Sequence, residues 1–260
     1  TRQFGSGFNE QAFAVAADAS GAWVAGDVRG AISDSFYTGT WIGDRDAYVR
    51  KYSPTGTVSY TPQFGTTAYD AVVGIALVGS DIYVTGYTVG GLQGANQGGH
   101  DVFVRRYVYA SGTWNVGPTV QLGSSAADVA QGIAWDGSGV LVVGYTAGAL
   151  PDQTSSGGND VFLLKYNPGL GLEWTRQFGS GEGPGEDYTL VDAEDGNIFT
   201  AGQTTGALVA QTNAGSYDVF LRKSDADGNV LWSRQFGTAA DERCTGVLAT
   251  TTGVYVLGQT

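Results

Sequence analysis

The side chains able to do chemistry in this chain are mostly carboxylates. There is one histidine, His100, and one cysteine, Cys244, among 260 residues. A Ser-His-Asp arrangement would have to use His100, and no Gly-x-Ser-x-Gly elbow accompanies it. One His and one Cys are too few for a zinc centre. Acids outnumber Lys and Arg, 25 to 13. Some of them keep a fixed spacing: Glu10, Asp70, Asp128 and Glu242 each lie seven residues after a glutamine of a recurring phrase. A further copy carries an insertion and offers Glu186 or Asp187. If the copies fold alike, these five carboxylates ring one mouth of the molecule. Ca2+ is then the candidate cofactor, since hard cations take several oxygen ligands. Recurrence in every copy favours a structural role instead, with each carboxylate accepting backbone N–H bonds as in an Asx-turn. The same choice applies to Asp46, Asp101, Asp160 and Asp218, which open one recurring strand, and there too a structural bond to a neighbouring blade is the favoured reading. Asp225-Ala-Asp227-Gly-Asn229 has alternating oxygens but lacks the later glutamate of a calcium loop, and it reads as a hairpin turn.

A second group breaks the pattern. Asp27, Arg29, Phe36, Tyr37, Trp41, Asp44 and Arg45 lie in the first copy, where the equivalent stretches of later copies are mostly Gly, Ala, Gln, Asn and Ser. Aromatic residues on an exposed loop stack on sugar rings or anchor a protein partner. The alternative is that Trp41 packs on its own sheet. The stretch Gly179 to Glu186 is a second departure, read as tolerated length.

The elements that must position these residues come from a repeat. Gln3-Phe4-Gly5, Gln63-Phe64-Gly65, Gln121-Leu122-Gly123, Gln177-Phe178-Gly179 and Gln235-Phe236-Gly237 are 60, 58, 56 and 58 residues apart. Each unit reads as strands: one ending in the Gln-Phe-Gly phrase, a small apolar run, a regular strand such as Ile82 to Thr88, and one opening with aspartate such as Asp101 to Tyr107. The apolar run is expected to be buried on both faces as the innermost strand. Asp136-Gly137, Asp195-Gly196 and Asp227-Gly228 supply hairpin turns. The glutamines are expected to bridge adjacent sheet edges.

A repeat of this length made of strands predicts an all-β fold, a β-propeller of four-stranded antiparallel blades. About five blades are represented over a single domain, 1–260, with units near 1–57, 58–113, 114–172, 173–229 and 230–260. The Asp-opening strand occurs four times and the others five, so the closing blade is incomplete. The chain contains no Met and begins inside a repeat, which suggests part of a longer product. The motifs Asp227-Gly-Asn-Val-Leu-Trp-Ser-Arg-Gln-Phe-Gly, Ile82-Tyr-Val-Thr-Gly-Tyr-Thr and Asp101-Val-Phe-Val-Arg-Arg-Tyr resemble the bacterial and archaeal SBBP β-propeller repeats, with a blade order similar to NHL repeats. The resemblance covers essentially the whole chain. It implies a secreted or cell-surface module and supplies no catalytic residues.

A net charge of -12 argues against nucleic-acid binding, and no apolar run is long enough to insert directly in a membrane. The expected function is an interaction or display module without enzymatic activity, outside the cell or on its surface, that binds a glycan or a protein through loops. The alternatives are a carbohydrate-active hydrolase using loop carboxylates and a structural spacer in a surface assembly. Self-association through the incomplete blade is a further expected partnership. Cys244 is expected to be a small buried apolar residue.

Overall fold

The computed structural model describes residues 3–32, 36–181 and 188–260. Among these residues there are strands and no helix. The chain forms two compact units, Thr1–Leu122 and Gly123–Thr260.

The first unit holds two sheets. The first contains β1 (Glu10–Asp18), β2 (Gly21–Val28), β4 (Asp46–Tyr52) and β5 (Val58–Phe64), antiparallel in that order, with the short β3 (Tyr37–Thr38) added parallel to the outer edge of β5. The second contains β6 (Asp70–Val78), β7 (Asp81–Thr88), β8 (Asp101–Ala110) and β9 (Thr113–Leu122). The second unit repeats the arrangement. Its four-stranded sheets are β10 (Asp128–Trp135) to β13 (Leu172–Phe178), through β11 (Val140–Thr146) and β12 (Asp160–Tyr166), and β14 (Tyr188–Glu194) to β17 (Val230–Phe236), through β15 (Asn197–Thr204) and β16 (Asp218–Ser224). A two-stranded sheet, β18 (Arg243–Thr250) and β19 (Gly253–Gln259), completes it. Four-stranded antiparallel meanders of this kind are what propeller blades are made of.

Each four-stranded sheet draws its last strand from the following sequence repeat. Thus β5, with Gln63-Phe64-Gly65, closes the sheet begun by β1. The first copy, Gln3-Phe4-Gly5, lies in no strand. The phenylalanine of the phrase is the contact between neighbouring sheets. Phe64 meets Phe103 edge-on at 5.7 Å, with the Arg105 guanidinium 3.8 Å from its ring centre. In the second unit Phe178 repeats this against Phe220 at 5.9 Å and Arg222 at 3.4 Å. Such T-shaped and cation–π contacts add to the area buried.

The apolar run is not uniformly buried, contrary to expectation. Strand β6 is largely buried, whereas β1 leaves Phe13 and Val15 exposed and β18 leaves Leu248 exposed. The reason is that β6 is covered by the first sheet, while β1 and β18 belong to sheets covered on one side only within their units. Cys244 is buried as expected, in an apolar cluster with Ala201, Val219 and Leu221, and burial pushes its thiol pKa up.

A bulge recurs in this run, at Ala12/Ala14, Val72/Gly74, Ala130/Gly132 and Cys244/Gly246. Opposite it the regular strand carries a glycine. At Gly86 a Cβ would fall 1.8 Å from the Ala71 carbonyl oxygen and 2.9 Å from the Phe103 ring. Gly86→Ala is therefore expected to cost about 3 kcal/mol through backbone displacement, read as a lowered midpoint of urea unfolding.

Candidate functional site

Two layers of side chains occupy the end of each sheet where the regular strand runs out and the Asp-opening strand begins. The inner layer is the same in every four-stranded sheet. Asp160 accepts a hydrogen bond from Gln177 Nε2 at 2.7 Å and another from Ser156 N at 2.7 Å. The same glutamine donates to the Gly148 carbonyl at 2.8 Å and accepts from Leu150 N at 3.0 Å. Asp46 with Gln63, Asp101 with Gln121 and Asp218 with Gln235 repeat the arrangement. One amide thus ties the last two strands of a sheet to the connector between its middle strands. This corrects two expectations. Neither the aspartate nor the glutamine reaches a neighbouring sheet, because the glutamine already lies on the strand adjacent to its aspartate.

The carboxylates at the seven-residue offset turn to their own loops. Asp70 accepts from Thr66 N at 2.6 Å and Thr66 Oγ1 at 2.9 Å. Asp128 does so from Ser124, Glu242 from Thr238 and Glu10 from Ser6. Hydrogen bonds from Thr238 hold the Glu242 carboxyl below its usual pKa. Burial pushes Asp70 and Asp46 upward, against the bonds they accept. Among the described residues no group of three His, Cys, Asp or Glu side chains stands close enough to hold a metal. Glu186 and Asp187 lie outside the described residues. Asp225 accepts from Asp227 N, Asn229 N and Asn229 Nδ2, as a hairpin turn does.

The outer layer is where the first unit departs from the repeat. Strand β2 ends Gly26-Asp27-Val28, where β7 and β11 end Gly-Tyr-Thr. Asp27 is fully buried. It accepts hydrogen bonds from the Arg45 guanidinium and from Tyr69 Oη, the latter at 2.8 Å. Tyr69 Oη in turn accepts from Tyr87 Oη at 3.2 Å, and the Tyr87 ring meets His100 edge-on at 5.1 Å. Burial, with the bonds to Tyr87 and Asp27, raises the Tyr69 pKa, so the phenol stays protonated. Arg45 and His100 directly precede the lock aspartates Asp46 and Asp101, and Tyr69 precedes Asp70. The repeated residues therefore hold the unrepeated ones in place. Asp27 has its charge answered by Arg45, which makes it an anchor rather than a general base.

Above this anchor stand the described residues of the connector from Arg29 to Arg45, 29–32 and 36–45. An exposed ion pair, Arg29–Asp44 at 2.9 Å, clasps its two ends. Tyr37 is drawn down onto Val28, Ile32 and Tyr48, and Thr61 N donates to the Phe36 carbonyl at 3.0 Å. Asp46 accepts from Ile42 N and Gly43 N. Phe36, Trp41 and Ile42 are left 42, 46 and 52% exposed. The structure thus brings Asp27 to Arg45 and Arg29 to Asp44, and it leaves Trp41 open rather than packed. Tyr69, Tyr87 and His100 complete the anchor; of these the sequence singled out only His100, and for a catalytic role rather than this one. Their signal was positional, since each adjoins a repeated residue or replaces one.

No family model matches the chain, and no curated protein does. Among solved structures, the periplasmic gluconolactonase PpgL of Pseudomonas aeruginosa aligns at 12% identity and a TM-score of 0.40, over 90% of this chain and 76% of that one. An ACO/RPE65 chimera aligns at 12% identity and a TM-score of 0.41, over 82% of this chain and 49% of its own. Likeness at this level transfers no residue role. The expectation of a chain without enzymatic activity is nonetheless withdrawn, because the first of these structures is named as an enzyme. No helix among the described residues is long and apolar enough to cross a membrane.

Two outcomes test the framework. Gln177→Leu strips one buried carboxylate, one carbonyl and one N–H of partners, and should cost about 3 kcal/mol by urea unfolding; Glu173→Ala, exposed on the same strand, should stay within about 0.5 kcal/mol. The second concerns the buried ion pair between Asp136 and Lys165, 2.7 Å apart. Burial pushes Asp136 up, but Lys165 and the N–H groups of Ser138 and Gly139 hold it below its ordinary 3.8. Its folded-state pKa is thus depressed, so its stabilisation is complete above pH 3.8 and is lost as pH falls through the folded value. Asp136→Asn should therefore lose about 3 kcal/mol at pH 7, and the gap to wild type should close in urea titrations carried below pH 3.8.

Proposed function

We propose that this chain is a propeller-type binding module, and that its connector from Arg29 to Arg45 recognises the surface of a protein partner. The observation that carries this is the exposure of Phe36, Trp41 and Ile42 on a connector that is braced from below. An apolar centre beside an exposed Arg29–Asp44 pair has the make-up of an interface, with its anchor aromatic and its rim charged. Because the bond from Thr61 N to the Phe36 carbonyl and the Asp46 bonds to Ile42 and Gly43 already fix the backbone beside the exposed side chains, little ordering of those residues remains to be done on binding. The extracellular setting implied by the repeat resemblance suits such a role, and a glycan partner would use the same aromatic residues.

The test is a binding screen of the purified protein against arrays of extracellular proteins and of glycans, followed by titration of each hit. Trp41→Ala and Ile42→Ser are expected to weaken a protein hit at least tenfold while leaving the melting temperature unchanged. A hit bound equally well by both variants would move the recognition surface elsewhere, and a set of glycan hits sensitive to Trp41→Ala would replace the protein reading with the glycan one.

A further inference from the structure

The opposite end of the first unit holds a cavity of about 380 Å³ that the connector does not touch. It lies between the two sheets, below the β1–β2 turn on one side and the β6–β7 and β8–β9 hairpins on the other. Trp23, Trp114 and Tyr109 form its apolar wall, and Asp18, Lys51 and Asp81 face it. Trp114 is held edge-on against Trp23 at 4.6 Å and nearly parallel to Tyr60 at 6.3 Å, so the wall is rigid. Tyr109 leans on Trp114 at 5.0 Å and is 47% exposed.

Lys51 is the unusual member. It occupies a repeated position, the sixth residue of the Asp-opening strand, shared by Arg106, Lys165 and Lys223. In the second and third sheets that cation is sealed in an ion pair, Arg106 with Asp81 and Lys165 with Asp136. Lys165 also donates to the Ala226 carbonyl of the next sheet, filling the space between. Lys51 instead donates to Ser20 Oγ at 2.7 Å and stands 4.7 Å from the Trp23 ring and 5.3 Å from that of Trp114. Asp18 accepts from Ser20 N at 2.7 Å, is also bonded by the Ser20 hydroxyl and Gly21 N, and acts on Lys51 through its field. An ammonium has three donors, so two remain for a guest. Where the cation is not sealed, a cavity opens. The second unit has a counterpart of about 360 Å³ beside Phe199, Lys223 and Trp232, but its last sheet is two-stranded and supplies no equivalent of Trp114.

The mixture of groups fixes the class of guest. A net anion would meet Asp18, the Asp81 charge being answered by Arg106, and a net cation would meet Lys51. A neutral polyol with one apolar face satisfies all of them, its C–H face on the aromatic wall and its hydroxyls on the ammonium and the carboxylate. The volume sits at the small end of ligand pockets, roughly 300–1,000 Å³. We propose that the cavity between the first two sheets binds a neutral saccharide, with its ring against Tyr109 and Trp114 and its hydroxyls held by Lys51 and Asp18. This site is separate from the connector and does not depend on the function proposed for it.

Isothermal titration of the intact chain with neutral disaccharides of glucose, galactose and mannose tests the proposal, with glucuronate and glucosamine as charged counterparts. At least one neutral disaccharide is expected to bind. Lys51→Met and Tyr109→Ala should each weaken it tenfold or more, and Trp41→Ala should leave it within twofold. Tyr109 is half exposed, so its truncation tests the site even if Lys51→Met disturbs folding. The proposal is overturned if no neutral sugar binds, if a charged sugar binds more tightly than its neutral parent, or if Tyr109→Ala binds as wild type does.

Discussion

The structure depends on a hydrogen-bonded pair of side chains, an aspartate that opens one strand and a glutamine near the end of the next. An isolated buried carboxylate would be costly, and so would a buried amide with open valences. Together, with one backbone carbonyl and two backbone N–H groups, they answer most of each other's polar atoms, although one carboxylate oxygen of Asp101, Asp160 and Asp218 stays buried without a partner. The pair also fixes register. A slip of one residue between these strands would put the glutamine on the face opposite its aspartate and break the bonds between them. That is a stronger constraint than apolar alternation alone, which the small residues of the first strand in each sheet define weakly.

With the frame held by repeated residues, the positions next to them are free to vary. Arg45 and His100 stand in equivalent places beside their aspartates, as Asp27 and Tyr87 do at the ends of equivalent strands. In the first unit these positions were filled with a carboxylate, a guanidinium, two phenols and an imidazole, and the result is a connected polar anchor. In the second unit the same positions carry Tyr145, Asn159, Gln203 and Tyr217. The same division holds at the other sheet end, where the fate of one cation decides whether the space between sheets is filled or open.

Strand order was readable from the sequence, because the Gln-Phe-Gly, Gly-Tyr-Thr and Asp-Val-Phe phrases recur in fixed order with turn dipeptides between them. The division of labour inside the phrase was not. Sequence shows that Gln177 and Phe178 recur together, yet only their strand neighbours show that the glutamine works within a sheet and the phenylalanine between sheets. The loop candidates Trp41 and Arg29 were legible as departures from the repeat. Lys51 was hidden for the opposite reason: it conforms to the repeat, and what distinguishes it from Arg106 and Lys165 is the missing carboxylate partner that only the fold can reveal. Trp114 lies in an extended hairpin whose inward face no periodicity specifies.

Every four-stranded sheet is a splice of two sequence repeats, since its last strand comes from the next one along. A duplication of one repeat in the gene therefore delivers three strands of a new sheet together with the closing strand and glutamine for the sheet before it. The new join is locked as soon as it is translated, with no compensating change needed on either side. Repeat number in such a chain can then change one unit at a time by recombination, and the loops, free of the lock, can diverge afterwards.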